Sequence, residues 1–540
     1  MTTLRDQLLG RLRRQTFDVL VIGGGIVGAG LARDAAMRGL RVALVERGDF
    51  ASGTSSKTSK LIHGGLRYLE HGHWRLVRES LRERQILRTI APQLVWPLAI
   101  SIPIYRGDPR PPWAIGLGLT LYGWFAVSSD LGTHRLRSAR AARQQEPGLN
   151  GDGLRAVASY WDCQMDDARL CLANILQAIS FGAVCCNYVR VLALEKTTHQ
   201  VCGAMVEDVR TAQMVEVRAS VVVNATGPWS DGIRRLSDRH ASRRLAPSKG
   251  IHLVVRRLTS QGLFLQARHD RRALFVLPWG DYSLIGTTES TDLSSLEDLR
   301  AEAEEVDYLL AEVNRVLPEA HVQPADVIAT FAGARPLLAS AGDSTRASRE
   351  HRIEVDCYGL VSVMGGKYTT YRLMAQQTLD EVCRRWRFTA ERCLTEQISL
   401  LEPTHPVVLD RWQEITRTIA PEWLARWLTR YGIGAFRILQ LIEFEPSLAQ
   451  PICPHHEVAQ AELVHALQAE MACTASDLLV RRTKIAFSRC QGLDALSTVA
   501  DLLARYGRVS AAEVEEQMEA YRRFLAQSLA FRAELVPAHA

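Results

Sequence analysis

The chain has 540 residues, of which 47% are hydrophobic and 23% charged, an ordinary globular composition that excludes wholesale disorder, a collagen-like repeat and an integral membrane bundle. The net charge of +6 is spread over the whole length and does not by itself indicate a nucleic-acid partner. At about 150 residues per domain, the length predicts roughly three to four domains, or two large ones with insertions.

The cysteines and the first residues bear on the compartment. The eleven Cys include no Cys-x-x-Cys pair and no Cys/His cluster at zinc-like spacing, so we predict reduced thiols and no metal site. Residues 1–14 lack the apolar core and cleavage site of a signal peptide. Their leucines fall on one face of a predicted helix and their arginines elsewhere, which is typical either of a basic interfacial helix or of a solvated helical extension.

The first recognisable unit is a strand, a glycine-rich turn, a helix and a parallel strand. The strands are predicted at 17–22 and 41–46. The glycines of Gly23-x-Gly25-x-x-Gly28 permit a tight turn, close approach of the backbone to a pyrophosphate and close helix packing. Glu46 ends the second strand, where a carboxylate can accept hydrogen bonds from an adenosine ribose. This unit predicts a site for FAD or NAD.

The rest of the chain divides into two further regions. Short alternating strands and a helix near 302–316 predict an α+β substrate-facing domain interleaved with the first. A linker near 401–406 precedes a predicted helical domain at 410–535, so the FAD-type region covers 17–400.

Two neighbouring segments bear on membranes. Residues 111–129 are uncharged and aromatic-rich, but their apolar stretch falls short of the roughly 20 residues that a span needs, so we favour a buried core or lid segment over membrane insertion. Residues 131–145 carry four arginines and no acid before Glu146, which suits either anionic headgroups or a solvated face.

A loop of small hydroxyl residues at 52–66 has donors and glycines that suit a pyrophosphate and a flat ring. It belongs to a set of motifs that together resemble the FAD-dependent glycerol-3-phosphate dehydrogenase family, in its aerobic, quinone-linked form. The motifs are Gly23 to Gly28, Ser55 to Glu70, Asn224 to Trp229, Gly333 to Leu337, Gly365 to Arg372 and Asp477 to Thr483. The match runs from residue 17 to beyond 375 and continues in the C-terminal region.

The resemblance implies a fold and a reaction. The fold class is α/β, with a FAD-binding Rossmann-like domain of the glutathione-reductase or D-amino-acid-oxidase type, an interleaved α+β substrate domain and a C-terminal helical domain. The reaction is oxidation of sn-glycerol 3-phosphate to dihydroxyacetone phosphate by hydride transfer to FAD, with electrons passed to a membrane quinone. We therefore expect a cytoplasmic protein, peripheral on the inner face of the cytoplasmic membrane, homodimeric and without a nucleic-acid partner.

The resemblance also assigns site residues. The expected cofactor-binding residues are Gly23, Gly25, Ile26, Gly28, Glu46, Thr54, Ser55, Ser59, Lys60, His63, Gly64, Gly65, Thr226, Gly227, Gly366, Lys367 and Thr369. The expected substrate-binding residues are Arg67, Tyr68, Arg335 and Lys367, because cations must hold a phosphate dianion.

The expected catalytic residues are His252, Arg335 and Lys367. His252 matches a family position that faces the substrate, and an imidazole near neutral pH can take the hydroxyl proton. A lone His at the start of a strand is also typical of a satisfied structural residue, and the division of the two cations between phosphate and reacting oxygen stays open.

Two alternatives remain. An oxidase of the same fold could pass electrons to oxygen, acting on glycerol phosphate or on an amine such as glycine or sarcosine; the cation cluster favours phosphate. An FAD-binding RNA-modification or scaffold protein would need a concentrated basic and aromatic surface, which the dispersed charge does not indicate.

Overall fold

The computed structural model describes residues 3–126, 131–291, 293, 295–339, 350–401 and 421–535, apart from the side chains of Arg67, Glu70, His71, Pro421 and Leu535. The predicted linker at 401–406 and the start of the predicted helical domain at 410 therefore lie almost wholly outside the described residues.

The strands in the first half of the chain are β1 (Phe17–Ile22), β2 (Val42–Val45), β3 (Leu61–Ile62), β4 (Val95–Tyr105), β5 (Arg135–Ser138), β6 (Leu154–Met165), β7 (Val184–Cys186), β8 (Val189–Lys196), β9 (Val201–Asp208) and β10 (Gln213–Asn224). They are followed by β11 (Ser248–Arg256), β12 (Gly262–Gln266), β13 (Ala273–Trp279), β14 (Tyr282–Gly286), β15 (Ala329–Arg335), β16 (His351–Val355), β17 (Val361–Gly365), β18 (Pro451–Cys453) and β19 (His456–Ala459).

The α-helices of the first 400 residues are α1 (Leu4–Arg14), α2 (Ile26–Met37), α3 (Trp74–Ile90), α4 (Pro112–Phe125), α5 (Ala139–Gln145), α6 (Asp167–Ser180), α7 (Ser230–Ser237), α8 (Ala303–Val316) and α9 (Tyr371–Trp386). Those of the C-terminal region are α10 (Pro421–Tyr431), α11 (Ala435–Phe444), α12 (Gln460–Ala469), α13 (Leu496–Tyr506), α14 (Ala511–Ser528) and α15 (Phe531–Leu535).

The first large sheet has a parallel centre. Its main path runs β16-β17-β10-β1-β2-β7, with β8 and β9 joined to β10. Val19 of β1 pairs with Val221 of β10 on one side and with Val42 of β2 on the other, both in parallel register. The central strands β1, β2 and β7 are apolar and almost wholly buried, and helices α2 and α6 pack against them. The predicted strand, glycine turn, helix and parallel strand are confirmed.

The second large sheet runs β15-β11-β14-β13-β12-β4-β6-β3, with β5 on β6. β11 lies between β14 and β15 in antiparallel register, so that His252 pairs with Phe331 of β15 and with Gly286 of β14. α8 packs an apolar face into a core formed with this sheet. The predicted α/β fold with an interleaved second domain and a helical C-terminal domain is confirmed.

The C-terminal helices dock on the first sheet's domain through buried ion pairs. A π-helical turn, Asp477–Arg482, lies at this contact. Arg482 Nη1 lies 2.8 Å and Arg481 Nε 2.6 Å from Asp49 Oδ2, and the Asp49 carboxylate is fully buried. Tyr188 donates its hydroxyl to Asp477 at 2.8 Å. The segment that the sequence analysis singled out as a C-terminal signature is therefore an interdomain contact.

α1 corrects both interpretations of residues 1–14. Leu8, Leu9 and Leu12 are buried in the protein core, and the helix packs against β7. Arg5 is also buried and forms an ion pair of 2.8 Å with Asp208. Because the protein itself covers the apolar face, this helix is neither a membrane-interfacial helix nor a solvated extension.

α4 corrects the expectation of a buried core segment at 111–129, and the alternative of a lid stays a prediction. Trp113 is 71% exposed, Leu117 56% and Trp124 81%, while Leu119 and Tyr122 are the buried members of the helix. Residues 127–129 lie outside the described part of the chain. None of the described helices combines the length and apolar character that crossing a membrane requires.

Candidate active site

A cavity of about 840 Å³ lies where the two large sheets meet. On one side, β1, β2, β10 and β17 end at the same edge because they run parallel. On the other side, His252 of β11 and Arg335 at the end of β15 also line the cavity. Open parallel sheets bind ligands at the carboxyl ends of their strands, so this is the expected place for a dinucleotide.

The glycine turn forms the floor at the start of α2. Gly25 is the N-cap residue of α2 and carries no side chain toward the helix start. Ile26 donates its backbone N–H to Ser55 Oγ at 2.9 Å, which ties the hydroxyl-rich loop to the turn. A Cβ on Gly23 would lie 2.7 Å from the carbonyl oxygen of Ala225, and a Cβ on Gly28 1.9 Å from that of Gly23. Only glycine fits these two positions, and the backbone can therefore approach a phosphate closely at the start of α2.

Glu46 follows β2 at the same edge. Its two carboxylate oxygens accept backbone N–H groups, from Gly24 at 2.6 Å and from Gly48 at 2.9 Å. Burial raises the pKa of Glu46, and the two backbone donors oppose that shift. Each oxygen keeps a further acceptor position, which suits the hydroxyls of a ribose.

His252 lines the cavity from β11. Its Nε2 is 2.8 Å from Ser59 Oγ, and its ring stacks on Phe331 with 5.0 Å between centroids. Within the described residues, Nδ1 is buried without a hydrogen-bond partner. Burial, helped by Lys60 and Arg335, lowers the pKa of His252 well below its usual value. The imidazole is therefore neutral near pH 7 and able to accept a proton.

Two cations, Arg335 and Lys367, line the same cavity. Arg335 donates from Nη2 to Thr287 Oγ1 at 2.7 Å and to the carbonyl of Thr288 at 2.9 Å. Lys367 donates from Nζ to Ser80 Oγ at 2.8 Å. These bonds fix both cations before any ligand binds.

The predicted cofactor residues separate into two groups. Those that line the cavity are Gly23, Gly25, Ile26, Glu46, Thr54, Ser55, Ser59, His63, Thr226, Gly227, Gly366, Lys367 and Thr369. Those outside its lining are Gly28, Lys60, Gly64 and Gly65. Lys60 instead forms a buried ion pair of 2.7 Å with Asp167, the first residue of α6, which holds the hydroxyl-rich loop in place.

Only some of the predicted substrate-binding residues line the cavity. Arg335 and Lys367 line the cavity. Tyr68 is outside the lining, but its ring centroid is 4.1 Å from Lys367 Nζ, so it supports that cation. The side chain of Arg67 lies outside the described part of the chain. Arg372 is paired with Glu83 at 2.6 Å in the core and is structural.

Sequence reasoning missed one group of lining residues. The Arg47 guanidinium lies 4.5 Å from the Trp229 ring centroid, and Glu297 accepts from both, at 2.8 Å and 2.9 Å. Trp229 stood within a recognised motif, whereas nothing near Glu297 in the sequence indicates a site. The three side chains form one wall of the cavity at its Glu46 end.

Comparison with known proteins decides the family. Residues 18–372 match the FAD dependent oxidoreductase model, and residues 393–514 match the C-terminal domain of alpha-glycerophosphate oxidase. Glycerol-3-phosphate dehydrogenase of Synechocystis sp. is 36% identical over 540 residues, covering 96% of this chain and 98% of that protein. The human mitochondrial glycerol-3-phosphate dehydrogenase is 34% identical, covering 98% of this chain and 75% of its own length. The chain belongs to the FAD-dependent glycerol-3-phosphate dehydrogenase family.

Solved structures agree with this membership. Glycerol-3-phosphate dehydrogenase from Bacillus halodurans, complexed with FAD, has a TM-score of 0.80 at 27% identity and covers 98% of this chain and 99% of its own. Glycine oxidase from Geobacillus kaustophilus, at TM-score 0.54 and 20% identity, covers 68% of this chain and 95% of its own, and shares the fold.

FAD is the cofactor of this family member, and the residues present fit it. The cavity offers a helix N-terminus without an N-cap side chain, a carboxylate with open acceptor positions and an aromatic and cationic wall in one continuous volume. These are the groups that a pyrophosphate, a ribose and a flat ring require.

Proposed function

We propose that this protein oxidises sn-glycerol 3-phosphate to dihydroxyacetone phosphate on FAD and delivers the electrons to a membrane quinone. The relatives named above as glycerol-3-phosphate dehydrogenases support the substrate. The observation that carries the proposal is that one neutral imidazole and two cations anchored by hydrogen bonds line the same cavity.

Different residues carry out different parts of the reaction. Oxidation of a secondary alcohol removes a hydride from carbon and a proton from the hydroxyl, and FAD supplies the hydride acceptor when bound. His252 accepts the proton. Lys367 and Arg335 attract the phosphate dianion, and their fixed positions orient the substrate at low entropic cost.

An oxidase of the same fold is the second candidate. It would act on glycerol phosphate or on an amine and use oxygen. Lys367 and Arg335 favour phosphate, because cations that line the cavity attract a dianion and repel an ammonium group. Whether oxygen or quinone is the electron acceptor is decided by the rates at which each of them reoxidises the reduced flavin.

Anaerobic addition of sn-glycerol 3-phosphate to the purified protein should bleach the oxidised flavin absorbance. A quinone analogue should then restore the absorbance rapidly and oxygen slowly. Glycine and sarcosine should not bleach it. Rapid reoxidation by oxygen with stoichiometric peroxide would establish the oxidase, and a bound flavin that no glycerol phosphate bleaches would reject the substrate.

Electron delivery to quinone requires contact with a membrane, and α4 offers the surface for it. Trp113, Leu117 and Trp124 are exposed apolar side chains on this helix. Aromatic side chains of this kind suit the membrane–water interface. The neighbouring strand β5 places the exposed Arg135 beside them, since Thr120 of α4 contacts His134 at 3.3 Å. An apolar helix with an adjacent basic strand fits an anionic bilayer surface.

Replacing Trp113 and Trp124 together with Ser should reduce binding to anionic liposomes by at least about tenfold, because two large apolar side chains lose their burial in the interface. Cosedimentation with vesicles of mixed phosphatidylcholine and phosphatidylglycerol measures it. Phe444→Ser is the matched control, since Phe444 is 90% exposed in the C-terminal domain. Equal retention of the double variant and wild type would assign attachment to another surface. Two further expectations, that the protein is a homodimer and that it lies at the inner face of the cytoplasmic membrane, stay predictions.

A further inference from the structure

A second cluster of chemically reactive side chains lies in the C-terminal domain, away from the FAD cavity. Cys453 and His456 pair across the tight hairpin of β18 and β19. Cys490 comes from the segment after the 3-10 turn Ile485–Phe487. The two Sγ atoms and a ring nitrogen of His456 all lie within 4.8 Å of one another. The cysteine spacing in the sequence did not indicate this cluster, which the fold brings together.

The spacing of these atoms is close to that of ligands on one tetrahedral zinc ion. Zn–S bonds of about 2.3 Å and Zn–N bonds of about 2.0 Å separate neighbouring ligand atoms by roughly 3.3 to 3.8 Å. Nε2 of His456 is already 3.3 Å from Cys490 Sγ. The remaining pairs need to close by no more than about 1.5 Å, which side-chain rotation supplies.

A fourth polar atom faces the same point. Ser488 Oγ lies 2.8 Å from His456 Nε2 and 3.5 Å from Cys490 Sγ. The Ser488 hydroxyl donates to the carbonyl oxygen of Ile485 at 2.7 Å, so its lone pairs are directed elsewhere and can accept a hydrogen bond. A metal-bound water in the fourth position would find this acceptor beside it.

We propose that Cys453, His456 and Cys490 bind one Zn²⁺ ion, with water as the fourth ligand. Two thiolates and an imidazole are the ligand set that zinc takes, whereas Mg²⁺ and Ca²⁺ take oxygen ligands. Cys453 is 5% exposed and the other two are partly buried, so the ion is shielded but reachable from solvent. The proposal is independent of the substrate proposed above.

The position of the cluster indicates a structural role. Phe487, next to Ser488, packs on Phe331 with 5.6 Å between centroids and on Trp279 with 5.7 Å. Phe331 is the ring on which His252 stacks. The ion would tie the β18–β19 hairpin to the segment that carries Phe487, and so fix the packing behind the proton acceptor.

Zinc titration of the reduced, FAD-loaded full chain tests the proposal. After chelator treatment and removal of the chelator, the protein should bind one Zn²⁺ per chain, and Co²⁺ in its place should give the visible absorption of a tetrahedral thiolate site. Cys490→Ser and His456→Ala should each weaken zinc binding by at least about 100-fold, because each removes a ligand. Cys357→Ser is the matched control, since Cys357 is an exposed thiol outside the cluster.

A second measurement needs no variant. Zinc should protect Cys453 and Cys490, but not Cys357, from alkylation, as read by peptide mass spectrometry. The proposal is overturned if the reduced protein takes up no zinc, if Cys490→Ser binds zinc as wild type does while retaining FAD, or if alkylation of the two thiols is indifferent to zinc. A Cys453–Cys490 disulfide in the purified protein, with no zinc uptake after its reduction, also overturns it.

Discussion

Replacing His252 with Asn should lower kcat/KM for sn-glycerol 3-phosphate by about 100- to 10,000-fold, the range that loss of a general base produces. Asn keeps a similar shape and polarity but cannot take the hydroxyl proton. Anaerobic stopped-flow measurement of flavin reduction isolates the step. His199→Asn, at an exposed turn, is the control. Since KM reports mainly on the cations, most of the loss should fall on the reduction rate.

The pH profile adds a second check. Burial first, and then Lys60 and Arg335, lower the pKa of His252 well below 6.5, so the ring is neutral across the ordinary range. Flavin reduction should therefore stay level as the pH falls from 8 to about 6.5 and decline only at lower pH. A decline centred above 6.5, or an Asn variant within a few-fold of wild type, would assign the proton to another group.

Replacing Arg482 with Met should destabilise the contact of the C-terminal domain by up to about 3–5 kcal/mol, because it removes one of the two guanidinium partners of the buried Asp49 carboxylate and leaves Arg481. Arg482 and Asp49 are both fully buried and 2.8 Å apart. Asp49 lies three residues after Glu46, so FAD should also dissociate faster. Thermal unfolding and the rate of flavin release measure the two effects. Arg522→Met, on an exposed face of α14, should leave both unchanged.

A double variant distinguishes the energy of the Asp49–Arg482 ion pair from the energy of side-chain packing at the same contact. Asp49→Asn combined with Arg482→Met should cost less than the sum of the single changes, because the second change no longer strands a charge. Strict additivity would show that the two side chains do not interact energetically.

The Asp49–Arg482 ion pair also makes the stability of the fold depend on pH in the acid range. Burial would raise the pKa of Asp49, but Arg482 and Arg481 outweigh it and lower the pKa to about 2. A carboxyl group with a lowered pKa stabilises the fold above its unfolded value of about 3.9 and loses that contribution as the pH falls. The stability difference between wild type and Arg482→Met should therefore be constant above about pH 5 and shrink between about pH 4 and 2.

Local patterns predicted the parts of the structure that depend on near neighbours in sequence. β1 was predicted to the residue, and Glu46 lies where the spacing after Gly23 predicts a ribose-facing carboxylate. Most of the residues expected to contact the cofactor line the cavity, because their motifs sit at strand ends that the parallel sheet brings together. Which of them touch FAD stays a prediction.

Contacts between distant segments were not predictable in this way. An amphipathic pattern shows that a helix has an apolar face but not what covers it, which is why α1 turned out buried and α4 exposed. The partner of Arg482 is Asp49, and Cys490 meets a hairpin that ends at 459; neither pairing leaves a signal in the local sequence. Glu297 also lies on the cavity wall through contacts with residues that are distant in sequence, so its local sequence did not indicate a site.

The order of strands in the first sheet has a consequence for biosynthesis. β1 and its glycine turn are made early, but β10 and β17, which complete the parallel centre, end at residues 224 and 365. At roughly 5–20 residues per second, β17 follows β1 off the ribosome by roughly 20 to 70 s. Until then the nascent chain has half of a nucleotide cleft and an unpaired apolar edge, and such edges are prone to aggregation. The parallel strands that form the nucleotide cleft are therefore all present only once about two thirds of the polypeptide has been translated.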